Sequence, residues 1–213
     1  MELPKSLPDF FQHAVNVIYA VVIAFSFMIS RKIVIPFENI PSHLISTEIL
    51  ILGYFIVVTG WIGYFLAIKK QPHRGILGLG RFGIDLFILY LFYYIVNLAD
   101  PENIQYRQDV FIIILPVTYS VYLLWDVVRH YEYELQKSSY VTRRKAKRWI
   151  GITVDYLVVF AFLALIYYYW PNTTEVNTLK YSIFFVASMV FTGMYRHAKW
   201  KEMETRNQKR NKR

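Results

Sequence analysis

Six long apolar stretches constrain the fold of this chain more than any other feature of its sequence. A helix needs about 20 mostly apolar residues to cross the roughly 30 Å hydrocarbon core of a bilayer. The stretches cover residues 10–30, 44–68, 82–99, 110–128, 149–170 and 179–195. Because the bilayer core has no water to satisfy open backbone groups, each stretch is expected to be an α-helix. The sequence therefore predicts an all-α, polytopic membrane helix bundle with six transmembrane helices.

The placement of the basic residues predicts the orientation of this bundle. The chain has a net charge of +9, and its 24 Lys and Arg residues are unevenly distributed. If every stretch crosses the membrane, all but four of them (Arg31, Lys32, Arg107 and Lys180) fall on one side. An excess of Lys and Arg marks the cytoplasmic side of a membrane protein. Both termini are therefore expected in the cytoplasm, with the protein in the plasma or inner membrane and residues 196–213 forming a basic tail.

A polar stripe runs along one face of the first predicted span. Its members recur at helical intervals of three and four: Gln12, Asn16, Tyr19, Ile23, Ser26 and Ser30. Such a stripe is typical of hydrogen bonding between neighbouring helices. It equally fits a water-lined pore, in which Ile23 would form an apolar constriction that gates by dewetting. The adjacent face, which contains Ile18, is wholly apolar and is a second candidate for a pore wall.

Charged residues inside predicted spans are costly, and they mark candidate functional sites. By depth alone, one layer near the cytoplasmic side is expected to contain His13, Arg81, Asp85, Asp126, Arg129 and Asp155. One interpretation is an ion-pair network that locks the helices together. The other is a gate or proton-linked latch, in which His13 is the member that titrates near neutrality.

Two basic segments lie on the predicted cytoplasmic side, one directly before the fifth predicted span and one after the sixth. Their cations are Arg143, Arg144, Lys145, Lys147 and Arg148, followed in the tail by Lys209 and Arg210. These cations are expected to attract the anionic headgroups of the lipid bilayer. The alternative is a cytosolic anionic ligand, a nucleotide or an oligonucleotide, because clustered Lys and Arg bind phosphates readily.

Motifs that carry enzymatic chemistry are missing from the sequence. It contains no cysteine, no glycine loop that could cradle a phosphate, no zinc-binding histidine pair and no nucleophile elbow. We therefore expect a protein that is not an enzyme and that needs no cofactor or metal.

The first span also carries a resemblance to a known family. The segment Phe11-Gln12-His13-Ala14-Val15-Asn16-Val17-Ile18 resembles the opening span of small six-helix prokaryotic relatives of the lysosomal potassium channel. Phe11 and Ile18 match that family's pattern, and Gln12 and His13 stand in place of its Ser-Asp pair. The resemblance implies protomers that assemble around a pore lined by the first span, with Ile18 at the constriction.

Together these features favour an oligomeric ion-conducting channel or pore with the first span along the path, and with a cytosolic anionic ligand as a candidate gating signal. A secondary transporter that uses the inner carboxylates for coupling is the first alternative. The second alternative is a membrane pore effector of a signalling or anti-phage defence system.

Overall fold

The computed structural model describes residues 7–70, 72–73, 75–102, 107–134, 140–170 and 176–211. Within these ranges the chain forms six α-helices, and two short 3₁₀ turns join the first to the second. The helices are α1 Leu7–Val34, α2 Leu44–Lys70, α3 Gly75–Asn97, α4 Arg107–Glu134, α5 Tyr140–Tyr169 and α6 Val176–Asn211. The prediction of an all-α fold is confirmed.

Five of these helices, α1 to α5, are long and apolar enough to cross a membrane, and α6 is not among them. Large apolar side chains also cover the outer surface of the bundle, as Val158, Phe162 and Leu165 do on α5. Helices that are apolar on their outward as well as their inward faces are typical of a membrane environment. The structure therefore indicates a membrane protein.

Five of the helices close into a ring. Each of α2 to α6 packs against the next in chain order, and α6 returns to pack against α2. At one point of this closure, the Ser182 hydroxyl on α6 donates a 2.7 Å hydrogen bond to the Glu48 carboxylate on α2. The main neighbours of α1 are α2 and α3, so that α1 covers the outside of their seam.

The helices alternate in direction, which gives the bundle two distinct ends. One end is called the basic end, because it is the end to which most of the Lys and Arg residues are assigned by the sequence. It holds the start of α1 and the connection from α2 to α3, because Phe11 stacks on Phe82 and contacts His73 there. The opposite end holds the end of α1, where Lys32 forms a 3.0 Å ion pair with Asp100 beyond α3.

Several helices extend beyond the predicted spans, and the largest differences are at the basic end. The predicted third span began at residue 82, whereas α3 begins at Gly75 and so includes Arg81 in its second turn. Gly75 has a φ of +58°, a conformation that glycine adopts readily, and it allows the chain to turn sharply into α3. The helix α6 continues from Val176 to Asn211 and so includes most of the predicted basic tail.

Candidate functional site

A fully buried histidine and arginine anchor a charged cluster at the basic end. The histidine cluster consists of His73, Arg81, Asp85 and Glu132. Arg81 Nη1 lies 2.9 Å from Glu132 Oε2, and Arg81 Nε donates a 2.9 Å hydrogen bond to His73 Nδ1. Because Nδ1 accepts this bond, a neutral ring carries its proton on Nε2, which lies 3.2 Å from Asp85 Oδ2. The cluster thus joins the α2–α3 connection to α3 and α4.

Asp85 also connects this cluster to an indole on α4. Trp125 Nε1 donates a 2.7 Å hydrogen bond to Asp85 Oδ1, the carboxylate oxygen that does not face His73. Both side chains are buried. The two oxygens of Asp85 therefore face different donors on different elements, which fixes the carboxylate in one orientation.

A second buried cluster joins α4, α5 and α6. The lysine cluster consists of Asp126, Thr153 and Lys199. Lys199 Nζ lies 2.6 Å from Asp126 Oδ2 and donates a 2.8 Å hydrogen bond to the backbone oxygen of Trp149. The Thr153 hydroxyl donates to the same oxygen of Asp126. Lys199 therefore anchors the α6 helix to α4 and α5 through a single ammonium group.

Two arginines near these clusters lie over aromatic rings. The Arg129 guanidinium lies between Trp125 and Trp149, at 5.0 Å and 4.5 Å from the ring centroids. Arg196 lies 4.9 Å from the ring centroid of Tyr122 and donates a hydrogen bond to its hydroxyl. Rings at these distances attract a cation through their negative faces. This end of the bundle therefore holds cations with aromatic as well as acidic partners.

One cavity of about 290 Å³, the central cavity, lies inside the ring, and it is bordered by Arg196 and by members of both clusters, namely Asp85, Asp126 and Lys199. Its polar lining includes Tyr64, Asp85, Tyr122, Asp126, Arg196 and Lys199. The remaining lining is mostly apolar, and it includes Val15 of α1 and Ile88 of α3. The cavity reaches the outer surface between α2 and α6, where Ile62 and Trp200 both line it and are exposed.

Two glycines of α2 make room for this arrangement. A Cβ at Gly60 would lie 2.8 Å from the ring of Phe92 on α3, closer than real side-chain contacts. A Cβ at Gly63 would lie 3.3 Å from Arg196 Nη1. Small residues allow the backbones of membrane helices to approach closely. Here they let α2 pack against α3 and leave space for the guanidinium of Arg196.

A polar stripe on α6 continues from the central cavity toward the opposite end. The α6 stripe consists of buried side chains at helical spacing: Tyr181, Ser188, Thr192, Tyr195 and Lys199. Near its middle, Tyr119 of α4 donates a 3.2 Å hydrogen bond to the Thr192 hydroxyl. The inward face of α6 is therefore polar along most of its length, with Phe184 as a buried apolar exception.

The predicted stripe on α1 lies along the edge of that helix's buried face. Tyr19 and Ser26 are buried, and Gln12, Asn16, Ile18, Ile23 and Ser30 are half-buried. The Trp61 indole of α2 donates a 3.2 Å hydrogen bond to the Asn16 amide oxygen, as expected for interhelical bonding. Tyr19 also lines the central cavity. A pore along α1 between protomers stays a prediction.

The predicted layer of charges divides into two groups. Arg81, Asp85, Asp126 and Arg129 are all buried at the basic end and belong to or adjoin the two clusters. The exceptions are His13 and Asp155, which are exposed on the outer faces of α1 and α5. They belong to neither cluster, because depth in the membrane does not specify the direction in which a helix presents a side chain.

Sequence reasoning missed several residues that border the cavity or complete its clusters. His73 falls in a connection rather than a span, and Arg196 and Lys199 fall in the predicted tail. Glu132 follows Asp126 and Arg129 at intervals of three, which places all of them on one side of α4. That spacing, and the helical spacing of the α6 stripe, are signals that the sequence contains.

The predicted anionic-ligand site is only partly within the described side chains. Arg148 is exposed, as a headgroup contact would require. The side chains of Arg143, Arg144, Lys145, Lys147, Lys209 and Arg210 lie outside the described part of the chain, although their backbones belong to α5 and α6. Binding of lipid headgroups or of a nucleotide by these cations stays a prediction.

The described side chains include no group of three or more His, Asp or Glu residues placed to hold a metal ion. Comparisons of the chain with protein-family models, with curated proteins and with solved structures found no match. What this protein does is therefore inferred from its central cavity and the charged groups around it.

Proposed function

We propose that this protein is a secondary transporter that carries a small solute across the membrane through the central cavity. In this proposal α6 is the sixth span, both termini are cytoplasmic, and the basic end faces the cytoplasm. The observation that carries the proposal is a cavity of about 290 Å³ that is bordered by buried charges within a bundle of apolar helices. Ionisable groups inside a membrane are costly, so such groups mark substrate or ion pathways by default.

The lysine cluster supplies a means of coupling. Lys199 and Asp126 both line the cavity, and they lie on α6 and α4, which meet across the ring. A solute or proton that binds one of these groups weakens the contact between the helices. Because a ligand shifts a conformational equilibrium only by binding two states differently, a breakable ion pair at the binding site is a suitable switch.

The α6 stripe supports a route to the second side of the membrane. It places hydroxyl groups along the inward face of α6 from Lys199 to Tyr181, which lies near the opposite end. A transporter exposes its site alternately to each side. The stripe would provide polar contacts for the solute once α6 moves relative to α2.

Uptake into proteoliposomes tests this function. The panel consists of radiolabelled benzenesulfonate, benzyltrimethylammonium, glucose and alanine, each measured with and without an inward proton gradient. We expect saturable uptake of at least one solute, and Asp126→Asn should abolish it. Glu38→Gln, at an exposed glutamate of the α1–α2 connection, is the control and should leave uptake unchanged.

Two results would contradict the transporter. One is the absence of uptake for every solute of the panel. The other is unitary current steps in planar bilayers, which would favour the oligomeric channel with α1 along the path. In that case substitutions of Ile18 or Ile23 would change the conductance, and Asp126→Asn would not.

A further inference from the structure

The chemical class of the solute can be inferred from the groups of the central cavity whose hydrogen-bonding capacity is not fully used. Arg196 is the clearest of them. Its Nη2 donates to the Tyr122 hydroxyl and its guanidinium lies over two tyrosine rings, but its Nε is buried without a hydrogen-bond partner. Among the described side chains, no carboxylate forms an ion pair with Arg196. Arg196 is half-buried, and a partly desolvated guanidinium with only neutral partners among the described side chains favours binding of an anion.

Tyr64 provides a second unpartnered group in the same cavity. Its side chain is only 7% exposed, and its hydroxyl has no hydrogen-bond partner within the described structure. A buried hydroxyl without a partner is destabilising relative to one that is bonded. Tyr64 and Arg196 both line the cavity, from α2 and α6 respectively. A ligand oxygen that accepts hydrogen bonds would satisfy both groups.

The carboxylates of the cavity, in contrast, are largely engaged by donors, although Asp85 Oδ2, which faces His73, is buried without a hydrogen bond within the described structure. Asp85 accepts a hydrogen bond from Trp125 and faces His73, and Asp126 is bonded to Lys199 and Thr153. A cationic ligand would have to displace one of these partners. The cavity groups that lack a hydrogen-bond partner are therefore mainly donors, namely Arg196 Nε and the Tyr64 hydroxyl. Such groups favour a ligand with acceptor oxygens.

The size and the walls of the cavity limit the rest of the ligand. Its volume of about 290 Å³ is at the lower end of the range for small-molecule sites, so a whole phospholipid does not fit inside. Beyond its polar groups the lining includes Val15, Phe55, Ala67 and Ile88. Such walls fit an apolar body of about the size of one aromatic ring.

We propose that the central cavity binds a small organic anion, with one negative charge held by Arg196 and Tyr64 and with an apolar body against the cavity walls. The anion enters between α2 and α6, where the cavity reaches the surface. This inference rests on the proposed transport function for its biological meaning. The binding site itself can be tested without transport.

Calorimetric titration of the full-length protein in phosphatidylcholine nanodiscs tests this proposal. The three probes share one aromatic ring: benzenesulfonate is anionic, benzyltrimethylammonium is cationic and benzyl alcohol is neutral. After subtraction of the heats of empty nanodiscs, benzenesulfonate should bind most tightly. Arg196→Gln should weaken its binding about ten- to a hundredfold, as expected for the loss of a charged hydrogen bond. Arg31→Gln, at an exposed arginine of α1, should have no effect.

Tyr64→Phe is a second variant that removes only the hydroxyl group and leaves the ring in place. It should weaken the binding of benzenesulfonate about three- to tenfold. This variant decides the outcome if Arg196→Gln fails to fold. Tighter binding of the cation than of the sulfonate, or unchanged sulfonate binding by Tyr64→Phe and by a folded Arg196→Gln, would overturn the proposal.

Two further arms separate this proposal from its alternatives. If phosphatidylglycerol added to the nanodiscs abolishes sulfonate binding, the cavity takes a lipid headgroup, and the small-anion proposal is wrong. If the protein binds benzenesulfonate through Arg196 but transports no solute, the transport function is wrong and the anion site stands. Uptake of benzyltrimethylammonium alone would support the transport function and contradict the anion site.

Discussion

At the scale of single residues, the histidine cluster shows how a charge is kept inside an apolar bundle. Arg81 has no exposed surface, and its guanidinium is held by Glu132 on α4 and by His73 before α3. Burying two charges removes them from water at a cost of several kcal/mol for each ion. The removal of one partner should therefore destabilise the fold much more than the removal of both.

Glu132→Gln tests this expectation, because it leaves Arg81 buried with a neutral partner. We expect a loss of about 3–5 kcal/mol in the free energy of unfolding, which thermal denaturation in detergent would show as a lower Tm. Glu102→Gln is the matched control. Glu102 pairs with Lys32 at 3.2 Å but is exposed, so its loss should cost less than about 1 kcal/mol.

The double variant Arg81→Met with Glu132→Met extends this prediction. Apolar side chains of similar size remove both charges at once, so the double variant should be more stable than Glu132→Gln alone. If the double variant has the lower Tm of the two, desolvation is not what dominates the energy of this pair.

The residue scale also shows what depth in the membrane can and cannot predict. The sequence placed Asp85 and Asp126 near the cytoplasmic side, and both are buried at the basic end. It placed His13 and Asp155 in the same layer, but a rotation of about 100° per residue decides which side chains face inward. The cavity's arginine and lysine, Arg196 and Lys199, were missed because the sixth apolar stretch ends just before them.

At the scale of helices, the contact between α2 and α3 depends on the absence of a side chain. Gly60→Ala would place a methyl group 2.8 Å from the buried ring of Phe92, and overpacking of this kind costs about 1–3 kcal/mol. Gly83→Ala on α3 is the control, because a Cβ there meets no atom within 4 Å.

The two alanine variants should therefore differ in their effects on Tm, and only Gly60→Ala should lower it. Gly83→Ala should be neutral or slightly stabilising, since alanine favours the helix by up to about 1 kcal/mol. Thermal unfolding of both variants in the same detergent checks this prediction. An equal change in both would mean that helix propensity, rather than the approach of Phe92, determines the effect.

The helices themselves were largely predictable, and α6 shows why one boundary was not. Each of the six apolar stretches of the sequence overlaps one of the six helices. Hydropathy could not show that α6 continues to Asn211, because a charged helix and a charged loop have similar compositions. Hydropathy also does not show that the inward face of α6 is polar, because it averages over all faces of a helix.

At the scale of the whole molecule, the orientation of the bundle is the next quantity to measure. Green fluorescent protein fused after Arg213 should fluoresce, because it folds in the cytoplasm. Alkaline phosphatase inserted after Asn172 should be active, because the connection between α5 and α6 is expected outside. The reverse pattern, with a dark C-terminal fusion and an inactive phosphatase, would contradict the distribution of Lys and Arg as the guide to orientation.

The closure of the ring was beyond the reach of sequence patterns. Alternating spans and short connections imply that consecutive helices are neighbours, and all five consecutive pairs pack together. They do not imply that α6 returns to α2, because that contact joins distant parts of the chain, as Ser182 and Glu48 do. The central cavity exists only because of this closure, and so its lining could not be derived from local spacing.

The position of Lys199 has a consequence for how the protein is made. Helices enter the bilayer in the order of translation, and Asp126 on α4 is synthesised before its cation on α6. Until α6 arrives, the growing chain carries an acidic group whose main partner has not been made, and such a group is costly within lipid. Chains that terminate before Lys199 should therefore be degraded by membrane proteases. Only chains that include α6 up to Lys199 should accumulate in the membrane.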